Sequence, residues 1–161
     1  MNRALAVAVA AIVTVAAVGA GLTGWLVVRH HRPQRPEISA YSDGHLTRVS
    51  PYFYCNVLNL NDCQQSQAEG ELPVNARDRV QLSVPTAIGR WAWQLQLAYE
   101  DQHRIATLFR PNTLAVTIDT VDARHGRLTG VVVQLLTLVI DPRGELTDMP
   151  HAEWSVRTVW S

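Results

Sequence analysis

The sequence predicts an all-β fold, an immunoglobulin-like two-sheet sandwich preceded by one N-terminal transmembrane helix. Three observations predict it. From Glu37 onward apolar side chains recur at every second position, turn residues punctuate those runs at short intervals, and the one long uncharged apolar run lies within residues 1–28. The chain has 161 residues, so about 125 remain for a domain once anchor and linker are set aside, close to the commonest single-domain size.

Ala4 to Val28 holds no charge and no proline, and its polar side chains are Thr14 and Thr23. As a helix it spans about 37 Å at roughly 1.5 Å per residue, against about 30 Å of hydrocarbon, so it can cross a bilayer. A cleavable signal peptide is the alternative, because Val18-Gly19-Ala20 resembles a cleavage site. Its apolar core would be shorter than this run, which continues through Leu22 and Trp25 to Val28. Trp25 suits the headgroup level at the outer end. Residues 29–36 read as a hydrated basic linker whose prolines keep it extended. Arg29, Arg32 and Arg35 follow the apolar run while Arg3 precedes it, so charge counting alone would leave the domain in the cytoplasm.

Residues 37–161 form the expected domain. Ile38–Tyr41 and Leu46–Val49 flank Ser42-Asp43-Gly44-His45, whose Asp-Gly centre favours a two-residue hairpin. Val80, Leu82 and Val84 alternate with Gln81 and Ser83, and Trp93, Leu95, Leu97 and Tyr99 alternate with Gln94, Gln96 and Ala98. Each is a strand with one buried face, and Trp93 is the expected core tryptophan. Ile105–Phe109 and Leu114–Ile118 continue the pattern. Leu128–Ile140 differs, offering apolar groups to both faces, which reads either as a covered central strand or as a strand whose outer face meets a partner. Asp141-Pro142-Arg143-Gly144 is a turn sequence leading to a last strand, Glu153–Trp160. There Trp154 and Trp160 share the core face, and Arg157 points to the other.

Cys55 and Cys63 are the two cysteines. In an exported chain an even count reads as a disulfide, worth roughly 2.5 kcal/mol on the loop-entropy argument for so short a loop. A redox or zinc role would need a CxxC spacing or further ligands.

Charge and motifs narrow the function classes. The formal net charge is zero and like charges do not cluster outside the linker, which excludes nucleic acid as a partner. All 14 basic residues are Arg, so neither a Schiff base nor a P-loop lysine can exist. There is no GxSxG, HExxH, phosphate loop or EF-hand pattern, and catalytic, cofactor-binding and metal-ligating residues are all assigned as none. His45, His103, His125 and His151 sit beside turn-like residues, as do Asp119, Asp122 and Asp148, and read as solvated loop groups. Asn59-Leu60-Asn61-Asp62 offers too few oxygens in one tight loop for calcium. Val132, Leu136 and Arg157 are the candidate interaction surface.

The segments Ile38-Ser39-Ala40-Tyr41, Tyr54-Cys55-Asn56, Gly70-Glu71-Leu72-Pro73-Val74, Val80-Gln81-Leu82-Ser83-Val84-Pro85 and His151-Ala152-Glu153-Trp154-Ser155-Val156-Arg157 carry a resemblance. Along nearly its whole length, anchor included, the chain resembles an uncharacterised actinobacterial, mycobacterial-type membrane-anchored family, a domain of unknown function. The resemblance implies an envelope location and a β-rich domain, with no activity to carry over. The resulting expectation is a single-pass cell-membrane protein with its C-terminal domain extracytoplasmic. It would be a non-enzymatic interaction or accessory module beside an envelope protein partner. A carrier of a lipid or other apolar ligand between the sheets is the alternative, and an enzyme of unrecognised type is a third.

Overall fold

A computed structural model describes residues 35–161; the expected anchor, 1–28, and most of the linker, 29–34, lie outside the described residues. Among the described residues no helix is long and apolar enough to cross a membrane.

The domain is all-β, a sandwich of two sheets. The strands are β1 (Ile38–Ser42), β2 (His45–Val49), β3 (Phe53–Asn56), β4 (Asn59–Gln65), β5 (Glu69–Val74) and β6 (Val80–Ser83). A one-turn helix α1 (Thr86–Gly89) precedes β7 (Trp93–Tyr99), β8 (Arg104–Phe109), β9 (Ala115–Ile118), β10 (Val121–Asp122), β11 (Gly126–Ile140) and β12 (Leu146–Trp160). The smaller sheet has the order β2-β1-β6-β9, and the larger runs β4-β3-β12-β11-β7-β8. β5 lies parallel to β12, and β10 pairs with β11. β3 and β5 meet the same strand in succession, β3 at Ala152–Glu153 and β5 from Ser155 to Trp160.

The core is what the two-residue period dictates. Val131 and Val133 on β11, Trp154 and Val156 on β12, Trp93 and Leu95 on β7, and Leu72 and Val74 on β5 turn inward. They meet Ile38, Ala40, Val80, Leu82 and Ile118 of the smaller sheet. Trp93 is fully buried as expected, stacks on Phe109 with ring centroids 4.6 Å apart, and donates its indole N–H to the Thr113 carbonyl at 3.0 Å. Trp154 is fully buried too, and its indole donates to the Pro36 carbonyl at 2.8 Å. The last two linker residues are thereby seated on the domain, since Arg35 also stacks its guanidinium over Tyr54.

Turn chemistry matches the sequence at both hairpins. Asp43 and Gly44 both take positive φ, 48° and 78°, the requirement of the two-residue turn joining β1 to β2. At the β11–β12 turn the Gly144 N–H donates to the Asp141 carbonyl at 2.9 Å, with Gly144 at φ 82°.

Gly89 shows how closely α1 packs. A Cβ there would stand 2.9 Å from the Thr113 carbonyl oxygen, the acceptor of the Trp93 indole, and 2.4 Å from a Leu114 methyl. The methyl can rotate away, but the backbone oxygen cannot. Gly89→Ala is therefore expected to cost about 1–3 kcal/mol. A denaturant midpoint unchanged from the parent chain would refute it.

Several expectations are corrected. β3, β4, β5 and β10 were not expected as strands, and β12 begins at Leu146 rather than Glu153. Asn59-Leu60-Asn61-Asp62 is no tight loop but the start of β4, where the Asn59 side chain accepts the Asn61 N–H at 3.2 Å.

Candidate functional site

Leu128–Ile140 was the segment with two readings, and its outer face decides where a site can be built. On β11 the outward residues are Gly130, Val132 and Gln134, opposite Arg157, Ser155 and Glu153 of β12 and Ala98, Gln96 and Gln94 of β7. Gly130 and Ala98 carry little or no side chain, so the sheet surface sinks between Arg157 and Arg104. The resulting open groove holds about 230 Å³, floored by Gly130 and Val132 and walled by Gln96, Arg104, Ser155 and Arg157. A Cβ at Gly130 would rest 3.5 Å from the Val156 carbonyl, so a side chain fits the backbone and would fill the depression instead.

The polar groups around this groove are held in a row. The Gln96 side-chain amide donates to Gln134 at 2.9 Å, and Gln134 donates on to the Glu153 carboxylate at 2.6 Å. The Ser155 hydroxyl donates to Glu69 at 3.1 Å, and the Arg157 guanidinium pairs with Glu71. This row was illegible in the sequence, because β5, which brings Glu69 and Glu71, was not recognised as a strand.

The three candidate surface residues separate. Val132 and Arg157 line the groove together, Val132 half-buried and Arg157 exposed. Leu136 lies beyond it, past a register shift between Leu135 and Leu136, at the base of a ribbon where β11 and β12 pair with each other alone. Cys55 and Cys63, directly opposite on β3 and β4, form the expected disulfide.

The histidines and acids are partly gathered at the far end of the larger sheet. The imidazoles of His103 and His125 stack with centroids 4.1 Å apart, and His125 Nδ1 lies 2.7 Å from the Asp101 carboxylate. That hydrogen bond, with the His103 backbone N–H, holds the Asp101 pKa below the usual carboxylate value. Asp122 is lowered by the backbone N–H groups of Arg124 and His125. Asp119 pairs with Arg79 at 2.8 Å, while His45 stands alone on β2 and Asp148 on the ribbon. Among the described residues no group of three or more His, Cys, Asp and Glu could hold a metal ion.

His151 is not a solvated loop group, contrary to the expectation. It occupies the shift in β12, buried, with its ring edge-on to Tyr54 at 6.3 Å and Nδ1 without a hydrogen-bond partner among the described residues. Desolvation pushes its pKa below the ordinary 6.5. With the folded value below the unfolded one, its contribution to stability is complete above pH 6.5 and is lost as pH falls toward the folded value. His151→Phe is expected to flatten the fall in melting temperature between about pH 7 and 5. Identical pH–melting curves for variant and parent would refute that assignment.

Residues 31–159 match the family model described as "Protein of unknown function (DUF2771)". The uncharacterized protein Rv0875c of Mycobacterium tuberculosis and the uncharacterized protein Mb0899c of Mycobacterium bovis are each 60% identical to the chain over 162 residues. In both cases the match covers 99% of this chain and 100% of the relative. No solved structure matches the chain.

Proposed function

We propose, from the premise that the chain belongs to the DUF2771 family of proteins of unknown function, a non-enzymatic interaction or accessory module of the cell envelope. A single N-terminal helix, 4–28, holds it in the membrane with the sandwich outside the cytoplasm. Export is supported by the Cys55–Cys63 disulfide, a bond that persists in oxidising compartments. Within the two-sheet frame the immunoglobulin-like reading rests on Trp93 as core tryptophan, with the parallel β5–β12 pair as a departure from that pattern.

The observation that carries the interaction role is the groove at Val132 and Arg157. It combines an apolar floor with polar groups already fixed by one another, the composition of a protein-binding surface. Arg157 is available to a partner's carboxylate at small cost, because an exposed pair such as Arg157–Glu71 is worth about 0–1 kcal/mol. The carrier alternative is less favoured, since Trp93, Trp154, Leu128 and Val133 fill the space between the sheets with no exposed surface.

Two measurements test the reading. A C-terminal reporter active only outside the cytoplasm should be active, and a silent reporter beside a fluorescent cytosolic twin would overturn the export. A photo-crosslinking amino acid at Val132 should give in cells a discrete adduct that Arg157→Glu abolishes and that Thr117, exposed on the other sheet, does not give. Equal adducts at both positions, or none, would overturn the interaction surface.

A further inference from the structure

We propose that one end of the sandwich rests on the lipid bilayer, with the β11–β12 ribbon and the adjoining turns entering the headgroup layer. The inference deepens the membrane-anchored reading and rests on it.

Beyond Leu135 and Ala152 the two longest strands leave the sheet. Leu136–Ile140 and Leu146–Pro150 pair with each other, and among the described residues no third strand flanks them. Five residues of ribbon project about 17 Å. An isolated ribbon in water should be polar, yet here Leu138, Ile140 and Leu146 share one side and are 63%, 74% and 68% exposed, with Asp148, opposite Leu138, the one charged group among them. Met149 is exposed on the other side.

The neighbouring turns fall at the same end by register. β3 runs antiparallel to β12 with Tyr54 opposite Ala152, so following β3 forward leads back along β12 toward Met149, and the β3–β4 turn carries Leu58, 95% exposed. β7 runs antiparallel to β11 with Trp93 opposite Leu135, so the residue two before it, exposed Trp91, lies toward the ribbon. Isolated exposed apolar side chains need no explanation; several converging from three separate turns on one end do. At the opposite end exposed Tyr41, Leu46 and Val121 are interleaved with charge, from the Asp101, His103, Asp122 and His125 group and the Arg79–Asp119 pair.

The occupant follows from where the chain enters the domain. Arg35 lies over Tyr54 and Pro36 under Trp154, both beside the base of the ribbon, so the chain arrives at the apolar end. Between Val28, the last residue of the 25-residue apolar run, and Arg35 stand six residues, which span at most about 20 Å when extended. A domain tethered that closely keeps this end within reach of the headgroups. Trp91 is of the residue type enriched at membrane–water interfaces. Asp141, Arg143 and Glu145, paired with one another at the ribbon tip, limit the depth and keep the ribbon among the headgroups.

The test uses the full chain reconstituted in vesicles of phosphatidylcholine and phosphatidylglycerol. An environment-sensitive fluorophore is attached to a cysteine at Ile140→Cys, Trp91→Cys or, as a hydrated control, Thr117→Cys. The first two probes should shift to the blue and be quenched by lipids carrying a quencher near the headgroup, with the control unchanged. If all three are equally hydrated while the chain resists alkaline extraction, the lipid contact is refuted and the anchor stands. If the chain is stripped by alkali, the anchor itself fails. Shielding that ignores the lipid quencher and grows with the protein-to-lipid ratio would assign this end to a second copy of the chain and overturn the proposal.

Discussion

Trp154→Ala is expected to lower the free energy of unfolding by about 3–5 kcal/mol, the range for removing a buried large aromatic. Three contacts converge on this side chain. It has no exposed surface, faces Val133 across the β11–β12 pair, and meets Tyr54 edge-on at 6.2 Å. Its indole N–H is also the hydrogen bond that ties Pro36 to the sheet, at 2.8 Å. Against a total stability of about 5–15 kcal/mol, such a loss removes between a fifth and all of it, and brings a domain at the low end of that range to its unfolding midpoint. Trp154→Phe separates the two contributions, since it keeps most of the packing and leaves the Pro36 carbonyl without its donor. It should cost less than half as much as the alanine change. Urea unfolding followed by far-ultraviolet circular dichroism measures both, and an alanine variant within about 1 kcal/mol of the parent would show that Trp154 is not central to the core.

The strands legible in the sequence are those in which water and core divide the side chains evenly. β6 reads Val-Gln-Leu-Ser and buries Val80 and Leu82; β7 buries Trp93 and Leu95 and leaves the glutamines to the outer face. β5 is hidden because the first of its inward positions, before Leu72 and Val74, is Gly70 and not an apolar side chain. A Cβ there would lie 2.3 Å from a Val49 methyl, so the close approach of β2 removes the residue that would have completed the pattern. Pro73 obscured it further, although β5 tolerates proline because it pairs with β12 on one side. β4 carries Asn, Asp and Gln at successive positions and is held by pairing with β3 and by the disulfide rather than by burial. The first half of β12 was missed because Asp148 and Pro150 read as loop, and nothing local announces a ribbon that projects from its sheet.

The site was legible to the same extent. Alternation places Val132 and Arg157 on outward faces, and they do share a groove. It could not show that Glu71 would lie beside Arg157, because that contact comes from strands 86 residues apart. Nor could it give His151 its burial, which depends on the shift in β12 rather than on any neighbour in sequence.

The sharpest consequence of the alternation is a pair of adjacent substitutions with opposite outcomes. Val133→Asp places a carboxylate against Trp154 and Leu95, where the parent side chain has no exposed surface and no cation lies opposite to pair with it. The charge must be desolvated or the group protonated, and the expected cost is on the order of 4 kcal/mol or more, enough to prevent folding. Val132→Asp puts the same group one residue away, on the outer face between Ser155 and Gln96, where water reaches it. Its cost should stay below about 1 kcal/mol. Because a strand turns each side chain to the opposite face of its neighbour, no shared property of the two valines can produce this contrast except the register of β11. Dispersed amide signals in the nitrogen–proton spectrum of Val132→Asp, and their collapse in Val133→Asp, are the expected pattern; two equally folded variants would overturn the register. The Val132→Asp chain, folded and altered only in the groove, then asks the functional question directly: with the photo-crosslinking amino acid moved to Arg104 on the groove wall, an adduct that requires this surface should vanish from it while the membrane contact of the ribbon persists.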